Sequence, residues 1–319
     1  MKKLKLPFFM TLVTIILVPV IIYLFADKKP QKIPTADRQA VFDMEISLYR
    51  TKTQTVETLS VYDYIRGVVS AEMSCDFEIE ALKAQSVAAF TYMLNKMNFE
   101  PATEHEGAYM CDDYNHCKAY MSVADAEDKL GKGFDNITDA VFSTLGQTLT
   151  YEGAPINAVF HSISCGMTAS AYEVWGKDVP YLQSVECASD MSQKNYETKV
   201  TIAKNEFANV FYEQLGVRLD GEINDWIGDI SYYPSGYVEK VIINGTEYEG
   251  TYIRSLFSLR SACFDLSVSG NNIVFTVRGY GHGCGMSQNG ANSMAKNGSD
   301  YKEILSHFYK DTQLSDYKI

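Results

Sequence analysis

The sequence lacks an excess of basic residues: 28 lysines and arginines stand against 40 aspartates and glutamates, which gives a net charge of −12. A nucleic-acid partner is therefore not expected, because phosphate binding needs a basic face. The sequence also lacks an internal repeat and a regular alternation of strand and helix patterns, so its interspersed helices and strands predict an α+β fold. Its 319 residues, 46% of them hydrophobic, are enough for one large domain or two smaller ones.

Charge is absent from residues 6–25, a run that follows three lysines near the N-terminus. A run of this length spans the roughly 30 Å of a bilayer's hydrocarbon core as a helix. A cleaved signal peptide is the alternative, but the run is long for one and ends in a poor cleavage site. We therefore predict a single transmembrane anchor over residues 1–26, a polar stalk over residues 27–40 and an extracytoplasmic domain over residues 41–319.

Standard motifs are lacking in the glycine-rich segment GYGHGCGMSQNGA at residues 279–291. The glycine spacing excludes a dinucleotide-binding loop, and no Gly-Lys-Ser/Thr of a phosphate-binding loop is present. A nucleophile elbow is excluded because Asn289 stands where glycine is needed. What remains is a backbone that approaches another group closely, with His282 and Gln288 as polar contacts. A tight strand-to-helix turn is the alternative.

A helix is predicted from Ser60 onward, because Ser60 opens a capping-box pattern and apolar residues recur at helical spacing from Ile65. Extending this apolar face by one turn reaches Glu72, where burial would favour the protonated carboxyl group. The alternative is a glutamate that reaches solvent or pairs with Lys83 or Arg66.

Further elements are predicted from composition and turn signals. Residues 77–97 are rich in good helix formers and predict a second helix. Asn244-Gly245 is a hairpin signal, and residues 273–277 are typical of a strand that leads into the glycine-rich segment. A smaller mixed subdomain is expected as an insertion over about residues 195–270.

A second loop of small residues, 161–168 (HSISCGMT), directly follows a predicted strand. A Ser/His nucleophilic pair is possible in principle, but adjacent strand residues point to opposite faces, so His161 cannot easily serve Ser162. A catalytic thiol at Cys165 lacks any local feature that would activate it. We expect His161 and Ser164 to line a substrate site instead.

Seven cysteines are an odd number for an exported chain, so at least one is free, shared between chains or a metal ligand. His105, Cys111 and Cys117 offer three metal ligands in one polar segment, although their spacing is not diagnostic. A Cys111–Cys117 disulfide or two free thiols are the alternatives. The candidate fourth ligands are water and three side chains of the same segment: Asp112, Asp113 and His116.

Four segments, in this order, resemble the stage II sporulation protein D family and the related amidase enhancers. The resemblance covers about residues 41–310, and the segments together are specific although each is weak alone. The segments are VVSAEM (68–73), EALKAQSVAAFTY (80–92), FHSIS (160–164) and GHGCGMSQNGA (281–291).

The resemblance implies a lytic transglycosylase that cleaves the MurNAc–GlcNAc bond of peptidoglycan and leaves 1,6-anhydro-MurNAc ends. The family's catalytic acid corresponds to Glu72, and Lys83 is a candidate substrate contact. A zinc site in some relatives corresponds to His105, Cys111 and Cys117, with a structural role. The resemblance also implies glycan strands freed of stem peptides by a cell-wall amidase, a membrane partner in the engulfment machinery, and a place in the septal space of a sporulating cell.

This chemistry agrees with a single catalytic carboxyl group, because the substrate's own 6-hydroxyl group is the nucleophile. The glycine-rich segment is then expected to lie against the glycan, across a substrate cleft from Glu72. One departure concerns Phe90, which stands where the family usually has arginine. Two alternatives remain: a non-catalytic glycan-binding activator of an amidase, and a zinc hydrolase.

Overall fold

The computed structural model describes residues 35–317, apart from residues 100–104, 106 and 115. The predicted anchor and most of the predicted stalk lie outside the described residues. Within the described part of the chain, no helix is both long and apolar enough to cross a membrane. Helices and strands are mixed along the chain, which confirms the α+β class.

The first half of the described chain is mainly helical, with short strands between the helices. In chain order its elements are α1 (Thr35–Phe42), β1 (Glu45–Arg50), β2 (Thr55–Ser60), α2 (Val61–Glu72), α3 (Ile79–Phe99), β3 (Met110–Cys111), α4 (Val123–Leu130), α5 (Gly133–Thr144), β4 (Gln147–Tyr151), β5 (Ala154–Pro155), β6 (Phe160–His161) and α6 (Ala171–Trp175).

The second half holds two small antiparallel sheets, followed by the glycine-rich segment and two helices. In chain order its elements are β7 (Glu197–Ala203), α7 (Lys204–Leu215), β8 (Ile227–Tyr232), β9 (Val238–Ile243), β10 (Thr246–Glu249), α8 (Gly250–Leu256), β11 (Cys263–Ser269), β12 (Asn272–Arg278), β13 (Met286–Ser287), α9 (Gln288–Lys296), α10 (Tyr301–Phe308) and β14 (Gln313–Asp316).

Helix α2 begins where the sequence predicts it. The Ser60 hydroxyl group accepts a hydrogen bond from the Asp63 backbone N–H at 3.0 Å, which satisfies one of the unpaired amides at the helix start. Ile65 and Val69 are buried, so this face packs into the core as predicted. The helix ends at Glu72 because Met73 is extended.

Helix α3 is the centre of the larger core. It is apolar on most of its circumference, and it contacts α2, α5, α9 and α10 as well as strand β4. This agrees with the second helix predicted from composition, shifted by two residues. A helix buried on all sides fixes its neighbours relative to one another, so α3 holds the end of α2 and the start of α9 in place.

A second, separate core lies in the segment from β7 to β12. It is formed by the strand orders β10-β9-β8 and β11-β12-β7 with α7 and α8 packed against them. The predicted hairpin turn at Asn244-Gly245 joins β9 to β10. These residues and those of the larger core belong to one compact unit, residues 37–319. An inserted subdomain at about 195–270 stays a prediction.

Two loops that are far apart in sequence pair with each other. Strand β13 pairs in parallel with β6, and isolated bridges join Ile163 to Tyr280 and Ala169 to Cys284. The loop 161–168 and the glycine-rich segment therefore lie side by side. This pairing brings the start of α9 to the end of α2.

Candidate functional site

Glu72 stands at the C-terminal end of α2, half-buried. One carboxylate oxygen, Oε1, accepts a hydrogen bond from the backbone N–H of Ala119 at 3.2 Å. The other, Oε2, accepts one from the Gln288 side-chain amide at 3.4 Å. The two donors hold the carboxyl group in one orientation while part of its surface stays accessible to a ligand.

Gln288 is placed by the start of helix α9. Ser287 caps this helix, since its hydroxyl group accepts the Gly290 N–H at 3.1 Å, and it also donates to Asp190 at 2.6 Å. Gln288, the first helical residue, is buried with its amide at Glu72. Gln288 was predicted as a polar contact of the site, and the structure brings it to Glu72.

Lys118 is a residue of this site that the sequence did not single out. It is only 9% exposed, and its Nζ lies 3.9 Å from the centre of the Phe160 ring and 4.2 Å from that of Tyr92. Burial lowers its pKa to about 8, while the negative charge of Glu72 opposes this shift. A single lysine beside Cys117 has no distinguishing pattern, so only the structure identifies it.

His161 and His282 lie next to each other, with ring centres 5.7 Å apart. Burial lowers the pKa of His161 to about 4, so the ring is neutral at neutral pH. Its Nδ1 then donates to the Cys284 carbonyl oxygen at 3.1 Å, and its buried Nε2, a free acceptor, has no partner among the described residues. Burial, followed by the neighbouring His161 and Lys118, lowers the pKa of His282.

We name Glu72, Lys118, Ala119, His282 and Gln288 the Glu72 site. His282 belongs to it because its ring lies 5.7 Å from that of His161, which pairs with Ser287, the residue before Gln288. Its Nδ1 accepts the Cys284 backbone N–H at 3.1 Å, which orients the ring. An acid, a cation, an amide and a neutral imidazole therefore lie on neighbouring segments of the structure. Such a set can donate protons to, and accept hydrogen bonds from, a hydroxyl-rich ligand.

Ser164 lies beneath the surface and is fully buried. Its backbone N–H donates to Asp190 Oδ2 at 2.7 Å, the same oxygen that accepts from Ser287. Asp190 is a buried carboxylate that the sequence did not point to, and it ties the loop 161–168 to the start of α9. Its contacts are structural, and direct substrate contact by Ser164 stays a prediction.

Lys83 lies on the first turns of α3. Its Nζ pairs with Glu80 at 2.6 Å, and Glu80 also accepts the backbone N–H of Tyr301. The described contacts of Lys83 are therefore with α3 and α10 rather than with Glu72. Its role as a substrate contact stays a prediction.

The glycine-rich segment lies against the protein's own chain, and contact of its backbone with a glycan stays a prediction. Gly281 has φ +115°, and a side-chain carbon there would stand 2.7 Å from the Cβ of His161. Gly285 has φ +72° and would collide with the Val159 carbonyl oxygen. The glycines are needed because this backbone packs on the strand before the loop 161–168.

Four side chains form a cluster that could hold a metal ion: His105, Cys111, His116 and Cys117, whose ligand atoms all lie within 4.8 Å of one another. The Cys117 sulfur lies 3.3 Å from His105 Nε2 and 3.5 Å from His116 Nδ1. The structure thus selects His116 among the candidate fourth ligands. Asp112 instead binds Arg50 and Thr51.

Two sulfurs and two imidazole nitrogens at these separations are a donor set that fits tetrahedral zinc. All seven cysteines are free thiols, so a Cys111–Cys117 disulfide is not formed. Elsewhere, the Cys165 thiol donates to the Ser235 carbonyl oxygen at 3.2 Å and packs in one cluster with Cys263.

Phe90, which replaces the arginine usual in the family, is buried in the larger core. Its ring meets that of Tyr317 edge-on at 6.0 Å. The described surroundings of Phe90 are apolar, so its side chain contributes to packing and is not part of the Glu72 site.

Comparison with known proteins agrees with these observations. A family model described as Stage II sporulation protein matches residues 49–151. The chain is 38% identical over 278 residues to the Stage II sporulation protein D of Bacillus subtilis (strain 168), which covers 86% of this chain and 79% of that protein. The Bacillus amyloliquefaciens protein of the same name is 36% identical over the same shares. The amidase enhancer of Bacillus subtilis is 26% identical over 79% of this chain and 40% of its own length. This chain therefore belongs to the stage II sporulation protein D family.

Proposed function

We propose that this protein is a lytic transglycosylase that cleaves the MurNAc–GlcNAc bond of peptidoglycan strands, with Glu72 as its acid and base. The observation that carries the proposal is the position of Glu72 at a helix end, where Ala119 and Gln288 orient its carboxyl group. In the described part of the chain, the hydrogen-bond donors on Glu72 are amides, and no second carboxylate contacts it. A single carboxyl group suits a reaction that needs no water nucleophile.

The reaction proceeds through two proton transfers at Glu72. The protonated carboxyl group gives its proton to the glycosidic oxygen as the bond from MurNAc C1 to that oxygen breaks. The MurNAc 6-hydroxyl oxygen then bonds to C1, and its proton passes to the Glu72 carboxylate. The products are a free 4-hydroxyl group on GlcNAc and a 1,6-anhydro-MurNAc end, and the enzyme returns to its starting protonation state.

The neighbours of Glu72 support both proton transfers. The positive charge of Lys118 and the amides of Ala119 and Gln288 stabilise the carboxylate that forms after the first transfer. These residues hold and orient the ligand while Glu72 carries the proton.

We propose that the His105–Cys111–His116–Cys117 cluster holds zinc. When bound there, zinc supplies a fixed cross-link for this segment, and the reaction requires no metal-bound hydroxide. Cys117 directly precedes Lys118 and Ala119, both in the Glu72 site. Holding Cys117 in place therefore also holds the amide that orients Glu72.

The cellular setting is part of the proposal. We place the protein at the cell membrane through a single N-terminal anchor, with its folded part in the septal space between membranes during engulfment. Its substrate is then a glycan strand whose stem peptides a cell-wall amidase has removed, and it works with a membrane partner of the engulfment machinery. Membership in a sporulation protein family supports this setting.

A non-catalytic activator of a cell-wall amidase is the second candidate. The similarity to a protein named amidase enhancer supports it. Such an activator would bind glycan strands through the same site without breaking them.

The test uses glycan strands without stem peptides and compares the wild type with Glu72→Gln, which keeps the shape of the side chain but cannot carry the proton. We expect 1,6-anhydro ends from the wild type and none from the variant by mass spectrometry of the products. Strand binding without cleavage by the wild type would indicate the activator. Reducing ends that disappear with a chelator would indicate a zinc hydrolase.

A further inference from the structure

A groove of about 310 Å³ lies between helix α6 and the sheet β10-β9-β8. We name it the Trp175 groove. It is lined by three aromatic rings and three carboxylates, which are Tyr172, Trp175, Tyr233, Glu173, Glu239 and Glu249.

Two of the three aromatic rings of the Trp175 groove are open to solvent. Tyr172 is 57% exposed and Trp175 is 46% exposed, whereas the second tryptophan, Trp226, is only 2% exposed. Helix α6 has just five residues, and a capping box in which Ser170 and Glu173 bond each other's backbone N–H groups fixes its start. Helix α6 thus presents two large rings to solvent at a groove, where a ligand can contact both.

The Trp175 groove adjoins the Glu72 site through His282. The Trp175 ring centre lies 5.4 Å from that of His282. His282 lies 5.7 Å from His161 between ring centres, and His161 pairs with Ser287, which directly precedes the Glu72 partner Gln288. A chain molecule that passes Glu72 and His282 therefore meets Trp175 next and then enters the groove.

The chemistry of the groove indicates what it binds. Flat rings offer stacking faces for the apolar faces of a sugar ring. Glu173 is engaged in its capping box, which leaves the carboxylates of Glu239 and Glu249 to accept hydrogen bonds from hydroxyl and amide groups. Burial, and then the charge of Glu239, raises the pKa of the Tyr233 hydroxyl. Tyr233 and the three glutamates line the same groove. The same negative charges repel a carboxylate ligand.

We infer that the Trp175 groove is a distant saccharide subsite that holds a neutral N-acetylglucosamine unit of the strand, away from the bond that Glu72 cleaves. The inference rests on the proposed function in one respect, because it takes the ligand to be a glycan strand. The lactyl carboxylate of MurNAc and the carboxylates of stem peptides are disfavoured in this groove. The subsite therefore sets which sugar of the strand lies at Glu72.

The test uses the full chain in detergent with Glu72→Gln, so that binding is measured without turnover, and a hexamer of N-acetylglucosamine as the probe. Because Trp226 is buried, acrylamide quenching of tryptophan emission reports mainly on Trp175. We expect the hexamer to reduce this quenching at least twofold and Trp175→Phe to remove the change. Calorimetry follows hexamer binding independently. If the hexamer saturates the protein and the quenching stays unchanged, the inference is overturned.

Two variants separate the groove from the Glu72 site. Tyr172→Ala removes a ring from the far wall of the groove, and we expect it to weaken hexamer binding about tenfold. Tyr212→Ala, which removes an equally exposed ring from helix α7, is the matched control and should change nothing. Equal affinities of the Tyr172→Ala and Tyr212→Ala variants would overturn the inference. So would a glucosamine hexamer that binds more tightly than the N-acetylated one, because charge rather than ring stacking would then govern the site.

Different results would refute the saccharide subsite and the proposed transglycosylase activity. If the hexamer binds at Trp175 but no 1,6-anhydro ends form, the subsite stands and the transglycosylase proposal fails. If Glu72-dependent cleavage occurs and Tyr172→Ala leaves the KM for long strands unchanged, the proposed function stands and the subsite is refuted.

Discussion

Gln288 donates its side-chain amide to Glu72 Oε2 over 3.4 Å, although the two residues are 216 positions apart. Glu72 ends helix α2, and Gln288 begins helix α9. The hydrogen bond therefore depends on the packing of both helices against α3 and on the pairing of β6 with β13. The orientation of the proposed catalytic group is a property of the whole larger core.

Replacing Gln288 with alanine removes one of the two donors that orient Glu72. We expect kcat on strands without stem peptides to fall about tenfold, or ~1.4 kcal/mol in activation free energy, because one stabilising contact of the carboxylate is lost. Anhydro-product formation over time measures this. Asn297→Ala, an amide loss at the exposed end of the same helix, is the control. Equal rates for the two variants would contradict an orienting role for Gln288.

Lys118→Met keeps an apolar stem of similar length but removes the charge next to Glu72. We expect kcat to fall at least tenfold, since the carboxylate formed after the first proton transfer loses the stabilising charge of Lys118. Stability should be nearly unchanged, because the methionine still packs on Phe160 and Tyr92. Steady-state kinetics and thermal unfolding are measured together. A variant that cleaves at the wild-type rate would remove Lys118 from the mechanism.

Removal of metal should destabilise the segment that carries Lys118 and Ala119. We expect about one zinc ion per wild-type chain by elemental analysis and almost none in His116→Ala or Cys117→Ser. Both variants should also unfold at a lower temperature, because metal binding contributes directly to folding free energy. Cys75→Ser, outside the cluster, should keep its zinc. Full zinc content in the His116→Ala variant would show that His116 is not a ligand.

Because His161 is buried and neutral, we expect the protein to lose stability in mild acid. Its pKa is lowered from the ordinary histidine value of about 6.5 to about 4 in the folded protein, mainly because burial disfavours the charged ring, with Asp190 and Arg254 acting in opposite directions. Between these pH values the unfolded chain binds more protons, so the free energy of unfolding falls as pH falls from 6.5 to 4, by on the order of 3 kcal/mol.

His161→Gln should flatten this decline, while the contributions of the other histidines remain in both proteins. Urea unfolding at several pH values from 7 to 4 measures the difference. The expected outcome is a variant whose stability depends less on pH than that of the wild type over this range. Parallel curves would show that His161 does not stay neutral in the fold.

The sequence predicted those features that depend on neighbours along the chain. The Ser60 cap, the apolar face from Ile65 to Val69 and the second helix follow from local hydrogen bonds and from spacing on a helix. The hairpin at Asn244-Gly245 follows from its turn residues. Three ligands of the metal cluster were also predicted, because they lie within one short segment.

The tertiary structure decided everything that depends on residues far apart in the chain. It selected His116 as the fourth member of the cluster, identified Lys118 and Asp190, and brought Gln288 to Glu72. It also showed that the glycine-rich segment packs on residues 159–164. Glycine spacing reports only that something approaches the backbone, since a missing side chain leaves the same pattern whether its neighbour is ligand or protein. Local periodicity determines the elements, whereas side-chain packing between distant segments determines which of their residues meet.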